Sequence, residues 1–169
     1  AKVDLKDQGL VAIEGVNDAD PSADSNGAGK SSIADALCWC FFGVTARGDT
    51  GDSVVNNVAK KNCRVEVIVR NDSILYRIAR HRKHSKHKNT LSLEVLDESK
   101  GDDNWIKITK GTNALTQELV IKALGCTLEV FKAAIYLGQE QMPDLPGATD
   151  KNLKLIVEEA AGIDQLQIS

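Results

Sequence analysis

Residues 25–43, "SNGAGKSSIADALCWCFFG", come shortly after an apolar run, "LVAIE" at 10–14, that is closed by Gly15. A short apolar run bounded by glycine suits a buried strand. In "SSIADALCWCFFG", Ile33, Leu37, Cys40 and Phe41 recur at helical spacing and Gly43 supplies a C-terminal stop. The pattern over 10–43 therefore predicts strand, loop and helix. In that setting "NGAGKSS" reads as a phosphate-binding loop rather than an ordinary glycine-rich turn. The loop covers 25–32. Gly27 and Gly29 let the backbone from Ser25 and Asn26 through Ala28 turn successive N–H groups inward as an anion nest, and the helix that follows adds the partial positive charge of its N-terminus. Lys30 would reach the β- and γ-phosphates of ATP, the Ser31 hydroxyl would bind Mg²⁺, and Ser32 could touch the α-phosphate.

The strict spacing GxxxxGK[ST] asks for glycine where Asp24 stands. Removing residues 18–26 would join Asn17 to Gly27 and give GVNGAGKSS, so this stretch reads as an insertion between the strand and the nest. Asp18, Asp20 and Asp24 lie within it. Acids close to a triphosphate would oppose it electrostatically, so they are expected to face solvent or a basic partner surface.

Composition limits the remaining choices. A chain of 169 residues with 42% hydrophobic and 27% charged residues can hold one domain, or one lobe of a larger one. Its net charge of −3 excludes a uniformly basic nucleic-acid binder, so any DNA contact must be a local patch. Apolar runs such as "ALCWCFFG" at 36–43 are far shorter than the roughly 20 residues a membrane span needs, and no signal-peptide pattern opens the chain. Cys38, Cys40, Cys63 and Cys126 contain no CxxC pair and are expected to be free thiols in a reducing cytoplasm.

Beyond the first helix the period changes. "CRVEVIVR", "ILYRIAR", "TLSLEVLD" and "WIKITKG" between 63 and 111 predict a four-strand meander. A helix follows, with Thr112 as N-cap, Leu115, Leu119 and Leu124 inward and Gly125 as terminator; "TLEVFKAAI" predicts another from Thr127. Leu153, Ile156, Val157, Ala160 and Ala161 place an amphipathic helix over 149–162.

From Arg77 to Lys88, "RIARHRKHSKHK" holds six Lys or Arg residues, three histidines and no acid. Arg80, Arg82, Lys83, Lys86 and Lys88 are candidate DNA contacts, with a solvated hairpin loop as the other reading. His81, His84 and His87 recur every three residues, but no cysteine lies near them and they would share a face only on a helix, so they are not assigned as metal ligands.

Taken in order, "SNGAGKSSIADALCWCFFG", "SVVNN", "VEVIVR", "YRIAR", "TLEVFKAAIYLGQEQM" and "DKNLKLIVEEAAGID" resemble the N-terminal ATP-binding lobe of SbcC-like DNA-repair ATPases, SMC-type relatives of ABC ATPases that include the large subunits of phage recombination exonucleases. The resemblance runs from about Gly9 to Asp164. It implies an α/β fold, a P-loop ABC-type ATPase N-lobe with an antiparallel β-meander and flanking helices, spanning 1–169 as half of a nucleotide-binding domain. Gln139 matches the glutamine of the family's Q-loop, which contacts Mg²⁺ and the attacking water; the helix at 149–162 matches the stretch leading into a coiled coil. No Walker B strand and no "LSGG"-like signature is present, and in the family both lie in a C-terminal lobe. The implied partners are that lobe, a second copy closing over ATP, an SbcD-type nuclease subunit and DNA, with no membrane. The implied setting is the cytoplasm of a bacterium or phage-infected host. Alone, the chain is expected to bind nucleotide weakly and hydrolyse almost none.

Other classes share parts of this pattern. A transporter nucleotide-binding domain also has a P-loop and Q-loop, but it usually stacks adenine on an upstream aromatic, and residues 1–38 contain none. A P-loop kinase should show a small-substrate site and a lid, which the meander does not fit. In a nucleotide-independent structural module, Lys30 and Gln139 would be accidental.

Overall fold

The computed structural model describes residues 1–17, 28–101, 103–135, 149, 154 and 157. They belong to two compact units, 1–34 and 35–169. The boundary falls inside the first helix, α1, which runs Lys30–Phe42.

In the first unit, residues 10–14 do not form the expected strand. Nothing among the described residues pairs with them, and Leu10, Val11 and Ile13 stay exposed. An apolar run specifies a strand only where a neighbour completes its ladder of N–H and C=O groups.

The second unit is built on four antiparallel strands in the order β1–β2–β3–β4: Cys63–Asn71, Ile74–Arg82, Leu91–Leu96 and Trp105–Lys107. The first two are joined at the pair Asn71↔Ile74, with Asp72 at φ +50° in the short polar turn. Exposure alternates along β1: Val65, Val67 and Val69 are half-buried, whereas Arg64, Glu66, Ile68 and Arg70 face water. One face of the meander is therefore covered. The core on that side joins Cys38, Cys40 and Phe41 of α1 to Ile78, Leu91, Leu93, Val120 and Phe131.

β2 extends two residues beyond its expected end at Arg80, and β4 is far shorter than "WIKITKG" suggested. Thr109 explains the second difference. Its hydroxyl accepts from Leu93 N at 2.9 Å and donates to Leu93 O at 3.1 Å, taking over from backbone pairing.

Helix α2, Asn113–Leu124, begins and ends where expected. Thr112 Oγ1 accepts from Leu115 N at 3.3 Å, and Gly125, at φ +70°, donates its N–H to Ile121 O at 3.0 Å. Its buried face differs from the expected leucine stripe. Thr116, Val120 and Ala123 face the core, Leu119 and Leu124 flank it, and Leu115 is 50% exposed. Thr116 is tolerated there because its hydroxyl accepts from Lys110 N at 3.1 Å and donates to Thr112 O at 2.9 Å.

After Thr127 the helix α3 covers only Leu128–Val130 and passes into a π-turn, Phe131–Ile135. The Phe131 ring lies 5.9 Å from Phe41 and 5.4 Å from Phe42, centroid to centroid, and anchors this turn. The Q-loop sequence around Gln139 and most of the helix expected over 149–162 lie outside the described residues. All four cysteines are free, with Cys38 and Cys40 buried.

Candidate functional site

The end of the phosphate loop is formed by Ala28 and Gly29, and Lys30 opens α1. Gly29 has φ +83°, a left-handed conformation that costs glycine little. Ser32 N donates to Gly29 O at 3.1 Å, closing the first turn. No acid occupies that turn, and Ser31 and Ser32 are exposed. A helix start of this kind has unsatisfied N–H groups and a positive dipole end, both suited to an anion.

Gly15 closes the loop from behind. A Cβ there would sit 2.5 Å from Ala28 Cβ and 3.3 Å from Lys30 Cγ, so only a residue without a side chain fits. The end of the apolar run is thus packed directly on Ala28 and Lys30, although residues 16–27 intervene in sequence. Sequence reasoning treated Gly15 as a strand terminator; joining Asn17 to Gly27 was the signal that could have revealed its role. Ser25, Asn26, Gly27 and Gln139 lie outside the described residues.

The five basic candidates divide by environment. Arg80 turns inward: its Nε donates to Cys40 O at 3.0 Å, and Nη2 donates to Phe41 O at 3.3 Å and to Gln117 Oε1. These carbonyls end α1, so the guanidinium caps the negative end of that helix. Burial is the main influence on Arg80, holding its pKa below the usual arginine value. Arg82 Nε and Lys83 Nζ both bind Asp52, at 2.7 and 2.8 Å. The hydrogen bond from Lys83, then that from Arg82, holds the Asp52 carboxyl below its ordinary value. Lys86 and Lys88 are exposed. Arg77, on β2, is bound by Glu94 at 2.5 Å.

Beyond β2 the chain forms a tight hairpin tip. His84 and Lys88 bridge each other, with N···O distances of 3.0 and 2.8 Å, and Lys83 and Lys88 take positive φ. Three imidazoles gather there without a helix, their centroids 4.6–5.0 Å apart. His84 Nδ1 accepts from Lys86 N and His87 N at 3.2 and 3.1 Å, so in neutral His84 the proton sits on Nε2. That tautomer is the wrong one for ligation through Nε2, and a cation would also meet Arg82, Lys83, Lys86 and Lys88. Among the described residues no cluster is arranged to hold a metal. His81 is 7% exposed; burial, then His87 and His84, push its pKa below 6.5.

The chain is similar to the SbcC component of the SbcCD nuclease of Deinococcus radiodurans, 25% identical over 142 residues, which cover 83% of this chain and 15% of that protein. It is also similar to the "DNA double-strand break repair Rad50 ATPase" of Thermoplasma volcanium, 28% identical over 142 residues, covering 84% of this chain and 15% of that protein. A family model described as an AAA domain matches residues 1–167. The meander and its flanking helices are accordingly an α/β fragment of a nucleotide-binding domain. With a glycine-backed loop at the head of α1 and that match over nearly its whole length, the chain belongs to the AAA-domain family, as an SbcC/Rad50-like ATPase lobe.

Proposed function

We propose that the chain is the ATP-binding lobe of an SMC-like ATPase in DNA double-strand-break repair or recombination, acting with a partner nuclease. The observation carrying this reading is the seat of Gly15 against Ala28 and Lys30, which brings the end of the apolar run against the start of α1 and supports a phosphate loop there. The names of the relatives support the wider setting, since one is a nuclease component and the other a double-strand-break repair ATPase.

The described residues fit a nucleotide. Gly29 at positive φ, the bare Gly15 cradle and an acid-free first turn suit the N-terminus of α1 to phosphate. Bound ATP supplies the phosphoanhydride, and Mg²⁺ screens its charge. Lys30 is assigned to the β- and γ-phosphates, Ser31 to the metal and Ser32 to the α-phosphate, with Ser25, Asn26 and Gly27 completing the nest. Gln139 keeps the role implied by the family resemblance, toward Mg²⁺ and water. A lobe carrying Walker B and signature sequences would complete the site in a dimer closed over ATP, and without it turnover would be minimal.

For DNA, Lys86 and Lys88 are exposed candidate cations, whereas Arg82 and Lys83 share Asp52 and Arg80 caps α1 through its Nε and Nη2. A cytoplasmic, DNA-associated setting follows from the same reading. No helix among the described residues is long and apolar enough to cross a membrane.

The test is titration calorimetry of Mg-ATP into the protein and its Lys30→Ala variant. Loss of roughly tenfold or more in affinity, equivalent to about 1.4 kcal/mol or more, is expected. Equal affinity would overturn the nucleotide assignment.

A further inference from the structure

Arg80 presents a problem in physical chemistry that capping α1 does not resolve. Its acceptors are the Cys40 and Phe41 carbonyls and the Gln117 amide oxygen, all neutral, and no carboxylate among the described residues pairs with it. Arg80 is half-buried, with its Cζ 6.0 Å from the Trp39 ring centroid, and a guanidinium partly withdrawn from water gains from a counter-charge because desolvation of the cation is costly.

A cavity of about 100 Å³ opens beside it, with room for several waters or one small oxyanion. Arg80 and Arg82 line this cavity with Asn89 and Asn113, and no acid is among its described lining residues. Two glycines complete the wall, each beside a guanidinium. A Cβ at Gly43, at φ +79°, would lie 3.1 Å from Arg80 Nη1; one at Gly51, at φ +58°, would lie 3.7 Å from Arg82 Nη2. These nitrogens are not the ones with which Arg80 binds the α1 carbonyls or Arg82 binds Asp52. The local charges also favour an anion: Arg82 and Lys83 share the single carboxylate of Asp52, and Arg80, which lines the same cavity, adds a third cation.

We infer that this cavity is a binding site for a phosphate-class oxyanion, with the guanidinium groups of Arg80 and Arg82 as its cationic lining. Water could fill the space but would leave Arg80 without counter-charge. The oxyanion could be free orthophosphate or a phosphate of a DNA backbone, which share this chemistry. The inference concerns a site apart from the phosphate loop and stands without the nucleotide reading.

The test is a titration of inorganic phosphate, at constant ionic strength set with chloride, into the full chain carrying Lys30→Ala, which weakens the loop as a competing site. Amide and guanidinium resonances of Gly43, Gly51 and Arg82 report on the cavity. Saturable shifts at these positions are expected, with binding weakened roughly tenfold by Arg82→Gln, the loss of one charged contact. Gly51→Ala, which removes no charge but adds a methyl beside Nη2, should also weaken it and serves if Arg82→Gln fails to fold. A DNA oligonucleotide then separates the sources: shifts at the same residues, competed by phosphate, identify a backbone phosphate, whereas a response to phosphate alone identifies the free anion. Absence of saturable shifts with either probe overturns the site. Shifts unchanged in both folded variants do the same.

Discussion

At Gly15 a single missing methyl group lets the chain pack against Ala28 and Lys30, the segment proposed to hold phosphate. A Cβ would stand 2.5 Å from that of Ala28, closer than two carbons can approach, and neither belongs to a flexible side-chain end. Gly15→Ala must therefore displace the loop. Its expected outcome is a loss of ATP affinity comparable to that of Lys30→Ala, with the circular dichroism spectrum retained, since the second unit contains the meander and most of α1. Wild-type affinity in a folded Gly15→Ala protein would show that the loop does not depend on this contact. The start of α1 at Lys30 was legible because glycines, lysine and serine at fixed spacing before a helical pattern have few other uses. The packing role of Gly15 was not, because its partners Ala28 and Lys30 lie more than ten residues on in sequence and become neighbours only in space. The direction of Arg80 was not legible either: charge in sequence says nothing about direction, and this arginine donates to the α1 carbonyls. The arrangement also affects Cys40, 0% exposed, whose thiol is pushed up to about 12 by burial, against an opposing influence from Arg80. It remains a weak donor, 3.6 Å from the Val65 and Ile78 carbonyls, rather than a reactive thiolate.

The element that departs most from expectation is the β2–β3 hairpin. Alternation placed its strands well, because one covered face imposes a period of two. It could not show that three histidines spaced for a helix would meet in a tight turn, where positive φ at Lys83 and Lys88 folds the chain back on itself. That meeting gives the hairpin a pH dependence whose sign can be worked out. Burial lowers the pKa of His81, followed by His87, His84 and Arg64, while the hydrogen bond with Thr90 opposes the shift. For His87 the influences are burial, then His84, Lys86 and Arg64. Both native groups therefore hold protons less tightly than the unfolded chain does, and their neutral forms contribute stability above pH 6.5, the ordinary value. That contribution is lost as pH falls below 6.5 toward the lower native values. The melting temperature should drop across this interval, and His81→Gln should flatten the dependence. A wild-type melting temperature that rises on acidification through the same interval would refute this assignment.

Over the whole molecule, the fold was legible where the chain completes its own packing and obscure where it does not. The second unit joins helix and sheet through Cys40, Ile78, Leu93, Val120 and Phe131, and its strands follow the expected order. The first unit also carries an apolar run, yet Val3, Leu5, Leu10, Val11, Ile13 and Val16 are exposed and no ladder forms among the described residues. Backbone amides outside a ladder open at almost no free-energy cost, whereas those of a packed sheet open only with much of the core. Hydrogen exchange should therefore divide the chain sharply. Amides of 63–71, 74–82 and 91–96 should be the most protected, and those of 3–16 should exchange nearly as fast as an unfolded peptide. Mg-ATP should raise protection at 28–34, because nucleotide would engage N–H groups at the start of α1. The Lys30→Ala protein should show the same division without the response to nucleotide. Strong protection of 10–14 in the free chain would mean that the apolar run has found a ladder after all, and protection at 28–34 that ignores Mg-ATP would separate the loop from the nucleotide.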